Sequence, residues 1–106
     1  MILTTTEAVP GYRIVEAYGV VTGSTVRAKH LGRDILAGLK NLVGGELKEY
    51  TNLLQEARDV SVERMKAQAE TLGANAVVTV RFGTSAVAQG AAELFAYGTA
   101  VKIVPE

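Results

Sequence analysis

The chain has 106 residues, 48% of them apolar, and its eleven basic residues balance eleven acidic ones. That length suits a single domain, residues 1–106, and excludes two. The charge balance gives no long-range field to attract nucleic acid or an anionic membrane, and the lack of cysteine excludes disulfides, thiolate metal sites and cysteine nucleophiles.

The apolar content, with a mean hydropathy of +0.19, is high for a chain this short, which buries only about two-thirds of the surface its unfolded form exposes. A membrane span needs roughly 20 mostly apolar residues in a row. Here every apolar stretch is soon broken by Arg, Glu, Lys or Gly. A partner subunit is the remaining sink, since obligate interfaces resemble a domain core cut in half, so self-association is expected. The start, Met1-Ile2-Leu3-Thr4-Thr5-Thr6-Glu7, lacks the basic residues and apolar run of a signal peptide. The cytoplasm is therefore the expected compartment.

Residues 2–5 are short and β-prone, and Pro10-Gly11 marks a turn. From Tyr12 to Val26 the chain is rich in β-branched and aromatic residues, with Tyr12, Ile14, Glu16 and Tyr18 on one face. Gly19 and Gly23 interrupt this stretch and suggest a bulge, a bend or a close backbone approach. One long bent strand or two short ones fit. Arg33 or Asp34 then opens a helix: Asp34 is a good cap, and Ile35, Leu36, Leu39, Leu42 and Val43 follow at helical spacing. Lys40 near its far end suits the dipole, and Gly44-Gly45 stops it.

A second helix runs from Glu46 to about Leu72, with Glu46 and Glu49 in its first turn. One stripe reads Leu47, Tyr50, Leu54, Ala57, Ser61, Met65, Gln68, Leu72, and another Leu53, Ala57, Val60, Arg64, Ala67. So wide an apolar face can serve both a sheet and a neighbour. Gly73 caps the helix, and Ala74-Asn75-Ala76 makes a tight exit. Ala76 to Gly83 is a strand with Val78, Val80 and Phe82 on one face and Val77, Thr79 and Arg81 on the other. Thr84 to Ala91 connects it to a last strand, Glu93 to Val104, as an antiparallel hairpin. The order β-β-α-α-β-β predicts an α+β fold with two central helices on one face of a mostly antiparallel sheet.

Several segments, in this order and spacing, resemble the YbjQ-like family of uncharacterised bacterial and archaeal proteins. They are Arg33-Asp34, Val43-Gly44-Gly45-Glu46, Tyr50, Glu56-Ala57-Arg58, Leu72-Gly73-Ala74-Asn75-Ala76-Val77 and Tyr97-Gly98-Thr99-Ala100-Val101. The resemblance covers nearly the whole chain. It implies a dodecin-like subunit assembled as a ring, a homopentamer, and it brings a heavy-metal-binding label. A metal ion is thus the cofactor the resemblance suggests, while no cysteine and a single histidine argue against a dedicated heavy-metal site.

His30, the only histidine, is a candidate metal ligand or base, or else a surface residue before a helix. Arg27, Lys29 and Arg33 beside it disfavour its protonation and repel a cation. The run Arg27, Lys29, His30, Arg33 is a candidate anion site at a helix start, or a solvated basic loop. No Walker or dinucleotide glycine pattern accompanies it. Glu56, Asp59 and Glu63 share a helix face; they are either a hard-cation or acid/base set, or a charged stripe neutralised by Arg58 and Lys66. Glu46, Tyr50 and Arg58 lie in the segments that carry the family resemblance, and Arg58 paired with a glutamate would clamp a subunit joint. Arg81 bridges to a neighbour, lines a pore or faces solvent. Ser24, Ser61 and Ser85 lack a Gly-x-Ser-x-Gly elbow.

The leading functional expectation is a non-catalytic oligomeric ring that binds a small ligand or metal ion, with Arg27, His30, Arg33, Glu46, Tyr50 and Arg58 as ligand-binding candidates. An enzyme with an inter-subunit site built on Glu46, Tyr50 and Arg58 with His30, and a purely structural adaptor, are the alternatives. Nucleic-acid binding ranks last, for want of charge and stacking platforms.

Overall fold

The computed structural model describes residues 1–27, 48–88 and 91–106. They form β1 (Ile2–Leu3), β2 (Tyr12–Arg27), α1 (Lys48–Thr71), β3 (Ala76–Ala88) and β4 (Ala91–Pro105). The strands make one sheet in the order β1-β3-β4-β2. β4 runs antiparallel to both neighbours, whereas β1 lies parallel to β3, with Ile2 opposite Ala76 and Leu3 opposite Val77. The fold is α+β, with a helix on a mixed sheet.

Three expectations need correction. The described residues hold one helix between β2 and β3, so the β-β-α-α-β-β order with two central helices is not what they show. The expected helix from Asp34 to Val43 lies outside them. The connection placed at Thr84–Ala91 is largely strand, because β3 continues to Ala88 and β4 begins at Ala91. Its small residues are poor strand formers alone, but cross-strand partners hold them: Thr84 pairs with Leu94, Ser85 with Glu93 and Ala86 with Ala92. Finally, Val80 does not share a face with Val78. A register shift between Val78 and Arg81 puts Thr79 at φ +56°, a left-handed conformation rare for a β-branched residue. The N-terminal segment holds this bulge in place, as the amides of Thr79 and Val80 donate to the carbonyls of Thr6 and Thr4 at 2.9 and 3.0 Å. The extra residue turns Val80 to the helix side with Val77 and leaves Val78 on the opposite side.

The core consequently has two parts. Under α1 lie Val21, Met65, Ala69, Val77, Val80, Ala96 and Ala100. On the other face Val9 covers Ala76, Val78, Val101 and Ile103. β2 is one 16-residue strand with register shifts between Ile14 and Glu16 and between Ala17 and Gly19. Helix α1 ends in a Schellman turn: Gly73 sits at φ +87°, its amide donates to Glu70 O, and the Ala74 amide donates to Ala69 O. Asn75 then acts as a strand residue through its side chain, giving Nδ2–H to Ile103 O (2.9 Å) and accepting the Ile103 amide on Oδ1 (2.7 Å).

The helix lies unusually close to β2. A Cβ at Gly23 would fall inside the α1 backbone at Ser61 and Met65, so the close backbone approach is what this glycine serves. Beside it the Thr25 hydroxyl meets Ala57 O (3.1 Å) and Ser61 Oγ (3.0 Å), and Ser61 Oγ also reaches Leu94 O (2.9 Å). Further along, Arg64 donates to Ser24 O and Gln68 accepts the Thr22 amide. Because the helix backbone cannot yield as a side chain can, Gly23→Ala is expected to cost about 2 kcal/mol or more. That corresponds to a fall of about 10 °C in the thermal midpoint. An unchanged midpoint would show that α1 does not rest on Gly23.

Candidate functional site

Leu54 and Arg58 are one turn apart on α1 and so lie side by side. Thr84 and Leu94 are register partners on β3 and β4, and cross-strand partners face the same side of a sheet. These four residues line a pocket of about 360 Å³ between the first half of α1 and the β3–β4 hairpin. The stripe that carries α1 onto the sheet runs Leu54, Arg58, Ser61, Met65, Ala69. Ser61, Met65 and Ala69 are fully buried, while Leu54 and Arg58 are exposed. The charge therefore falls at the exposed end of this stripe, beside the pocket. Arg58 joins no ion pair among the described residues; the pair found there is Lys66–Glu63, at 3.5 Å. Among the described residues the site offers one guanidinium fork, one hydroxyl and two hydrocarbon walls, a set suited to holding an organic anion.

Three of the described acidic residues lie elsewhere. Glu56, Asp59 and Glu63 border a separate groove of about 420 Å³ floored by Val60 and Ala67. They share a face as the spacing requires, but among the described residues no three Asp, Glu, His or Cys side chains converge as a metal site needs. Soft metals prefer thiolate and imidazole, and the whole chain has no cysteine and one histidine. The donor set does not fit a heavy metal.

Of the ligand-binding candidates, His30, Arg33 and Glu46 lie outside the described residues. Arg27 closes β2, its backbone paired with Ala92, and Tyr50 lies in the first turn of α1; both side chains lie outside the description. Only Arg58 is placed in a site. Leu54, Thr84 and Leu94 were not anticipated. Leu54 was legible from its spacing to Arg58, but the partnership of Thr84 with Leu94 depends on the Thr79 bulge, which no sequence pattern marks. Arg81 is exposed, and its guanidinium binds the carbonyls of Thr5 and Val80, both at 2.9 Å. Within this chain it ties down the N-terminal loop. The half-buried Tyr18 hydroxyl donates to Glu16 at 3.2 Å. Burial first, and then the hydrogen bond and charge of Glu16, raise its pKa above the ordinary tyrosine value. It stays neutral near pH 7 and is no candidate base.

The chain belongs to the YbjQ-like family, whose model, described as "Putative heavy-metal-binding", matches residues 1–104. A UPF0145 protein of Methanoculleus marisnigri is 65% identical over 99% of this chain and 98% of its own length. One from Hahella chejuensis is 64% identical over 95% and 97%, and one from Thermus thermophilus is 60% identical over 99% and 92%. A crystal structure of a protein of unknown function from Pediococcus pentosaceus, of the DUF74 family, superposes with a TM-score of 0.63 at 18% identity, covering 98% of both chains. That likeness supports the fold. No helix among the described residues is long and apolar enough to cross a membrane.

If Arg58 were half of a buried structural clamp, its loss would cost about 3–5 kcal/mol. An exposed arginine outside any described ion pair predicts instead that Arg58→Leu changes unfolding free energy by no more than about 0.5 kcal/mol. Urea denaturation of the two proteins side by side decides between these values.

Proposed function

We propose that this chain is a non-catalytic binding subunit that holds a small ligand at the Arg58 pocket and assembles with copies of itself into a ring. The observation that carries the reading is the pocket itself: an unpaired guanidinium, among the described residues, set between leucine walls. The described lining offers groups that bind and orient: a guanidinium, a hydroxyl and two leucine side chains.

The surface of the chain supports assembly. Val20 is 75% exposed and Val26 55%, and uncovered apolar strands of this kind mark interaction surfaces. A homopentamer, the number the family resemblance implies, would cover such surfaces. The misfit of the donor set sets heavy metals aside in favour of a small organic ligand.

Light scattering on the chromatographed protein is expected to give a mass several times 11.2 kDa, five-fold for the pentamer, at micromolar concentration. A stable monomer would contradict the assembly. In a thermal-shift screen of small organic ions at millimolar concentration, a ligand present at about 100 times its Kd adds about 2.7 kcal/mol of stability. The absence of any stabilising compound would contradict the binding role.

A further inference from the structure

We infer that the ligand is an amphipathic monocarboxylate, with its carboxylate on Arg58 and its hydrocarbon body between Leu54 and Leu94. This inference rests on the reading of the pocket as a binding site and adds the chemical class that fills it.

Four features lead there. First, Arg58 stands in the sheet-facing stripe of α1, between Leu54 and Ser61, where the neighbouring positions are apolar or sealed. A charge that breaks the pattern of its helix at the mouth of a cavity is a mark of function rather than of folding. Second, its guanidinium presents parallel N–H groups that match two oxygens of one acid group. Third, the charge count favours a monoanion. Among the described residues the pocket is lined by one cation, whose single positive charge one carboxylate balances. Fourth, Leu54 and Leu94 face the same space. An inorganic anion would leave both walls wet, and a neutral hydrocarbon would strand the guanidinium. A body of hydrocarbon with one carboxylate satisfies both. The Thr84 hydroxyl, on the same rim, can donate to the second oxygen.

The acidic side chains nearest in sequence do not compete for this arginine: Glu56, Asp59 and Glu63 line the other groove. Glu93, on the hairpin, accepts a hydrogen bond from Ser85 at 3.2 Å instead.

The test is titration calorimetry of the full chain with sodium octanoate, acetate, octylamine and octyl phosphate below their aggregation concentrations. Methyl spectra of the leucines, recorded in parallel, report the place of binding. Octanoate is expected to bind and to shift the Leu54 and Leu94 methyls, with acetate and octylamine at least about tenfold weaker. Arg58→Leu should weaken octanoate by at least about tenfold, and Arg58→Lys should restore part of the loss. Octylamine binding as well as octanoate, octyl phosphate binding better, or leucine shifts confined to other sites would overturn the monocarboxylate while leaving a binding role intact. If no member of the set binds, and the wider screen above also finds nothing, the binding role itself falls. Should Arg58→Leu prove unfolded by circular dichroism, Leu94→Asn gives the second arm. It is expected to weaken octanoate more than acetate, and equal weakening of both would overturn the inference.

Discussion

Around Gly23 helix α1 meets β2 through a glycine, an alanine and two hydroxyl groups, with the Met65–Val21 packing beside them. Gly23 lets the backbones touch, and the Thr25 and Ser61 hydroxyls share Ala57 O between them, with Ser61 also reaching across to Leu94 O. Both hydroxyls are buried. A buried hydroxyl without a partner costs about 1–3 kcal/mol, so this small network fixes one rotation and one depth of the helix far more sharply than a greasy contact would. Arg64 to Ser24 and Gln68 to Thr22 extend the same line along the strand.

From that seat the rest follows geometrically. Once Ser61 is locked, Met65 and Ala69 are carried onto Val21, Val77 and Ala100 to make the main core. In the other direction Arg58 and Leu54 are carried past the seat, toward Thr84 and Leu94 on the hairpin. The short side chains that bring α1 down at Ser61 do not fill the space beyond it, and the pocket is what remains. Core packing and candidate site are thus two ends of one helix, set by the same hydroxyl pair. The Thr79 bulge plays the corresponding part in the sheet, since it sets which residues of β3 face α1 and hence that Thr84 partners Leu94 on the pocket side.

Much of this was legible in the sequence. The long helix ending at Gly73 and the strand through Tyr12–Val26 with its glycine-marked irregularities follow from periodicity and glycine placement, and the close approach at Gly23 is one of the three readings its placement left open. The α+β class follows from their order. What escaped has particular physical causes. The mixed sheet arises because Ile2 and Leu3 pair parallel with distant β3 residues, and nothing local in two residues signals a partner more than seventy positions away. The Thr79 bulge is made by tertiary hydrogen bonds to Thr4 and Thr6 and runs against the preference of a β-branched residue, so alternation misplaced Val80. The hairpin extension rests on the cross-strand pairs Thr84–Leu94, Ser85–Glu93 and Ala86–Ala92 rather than on strand propensity. Of the site, Arg58 was found through the family-like segment that contains it, but its setting was not. Two settings were expected for it, an ion-pair clamp at a subunit joint and a ligand-binding position; within one chain the described residues place it beside Leu54 and Leu94.

The hydroxyl seat is most directly tested by a double-mutant cycle on Thr25→Val and Ser61→Ala, read by urea unfolding. Because the two groups share one acceptor and contact each other, the effects should fall short of additive by about 1 kcal/mol. Effects that simply add, to within about 0.3 kcal/mol, would mean that the two hydroxyls act independently, and that the depth and rotation of α1, with the pocket that depends on them, are set by something else.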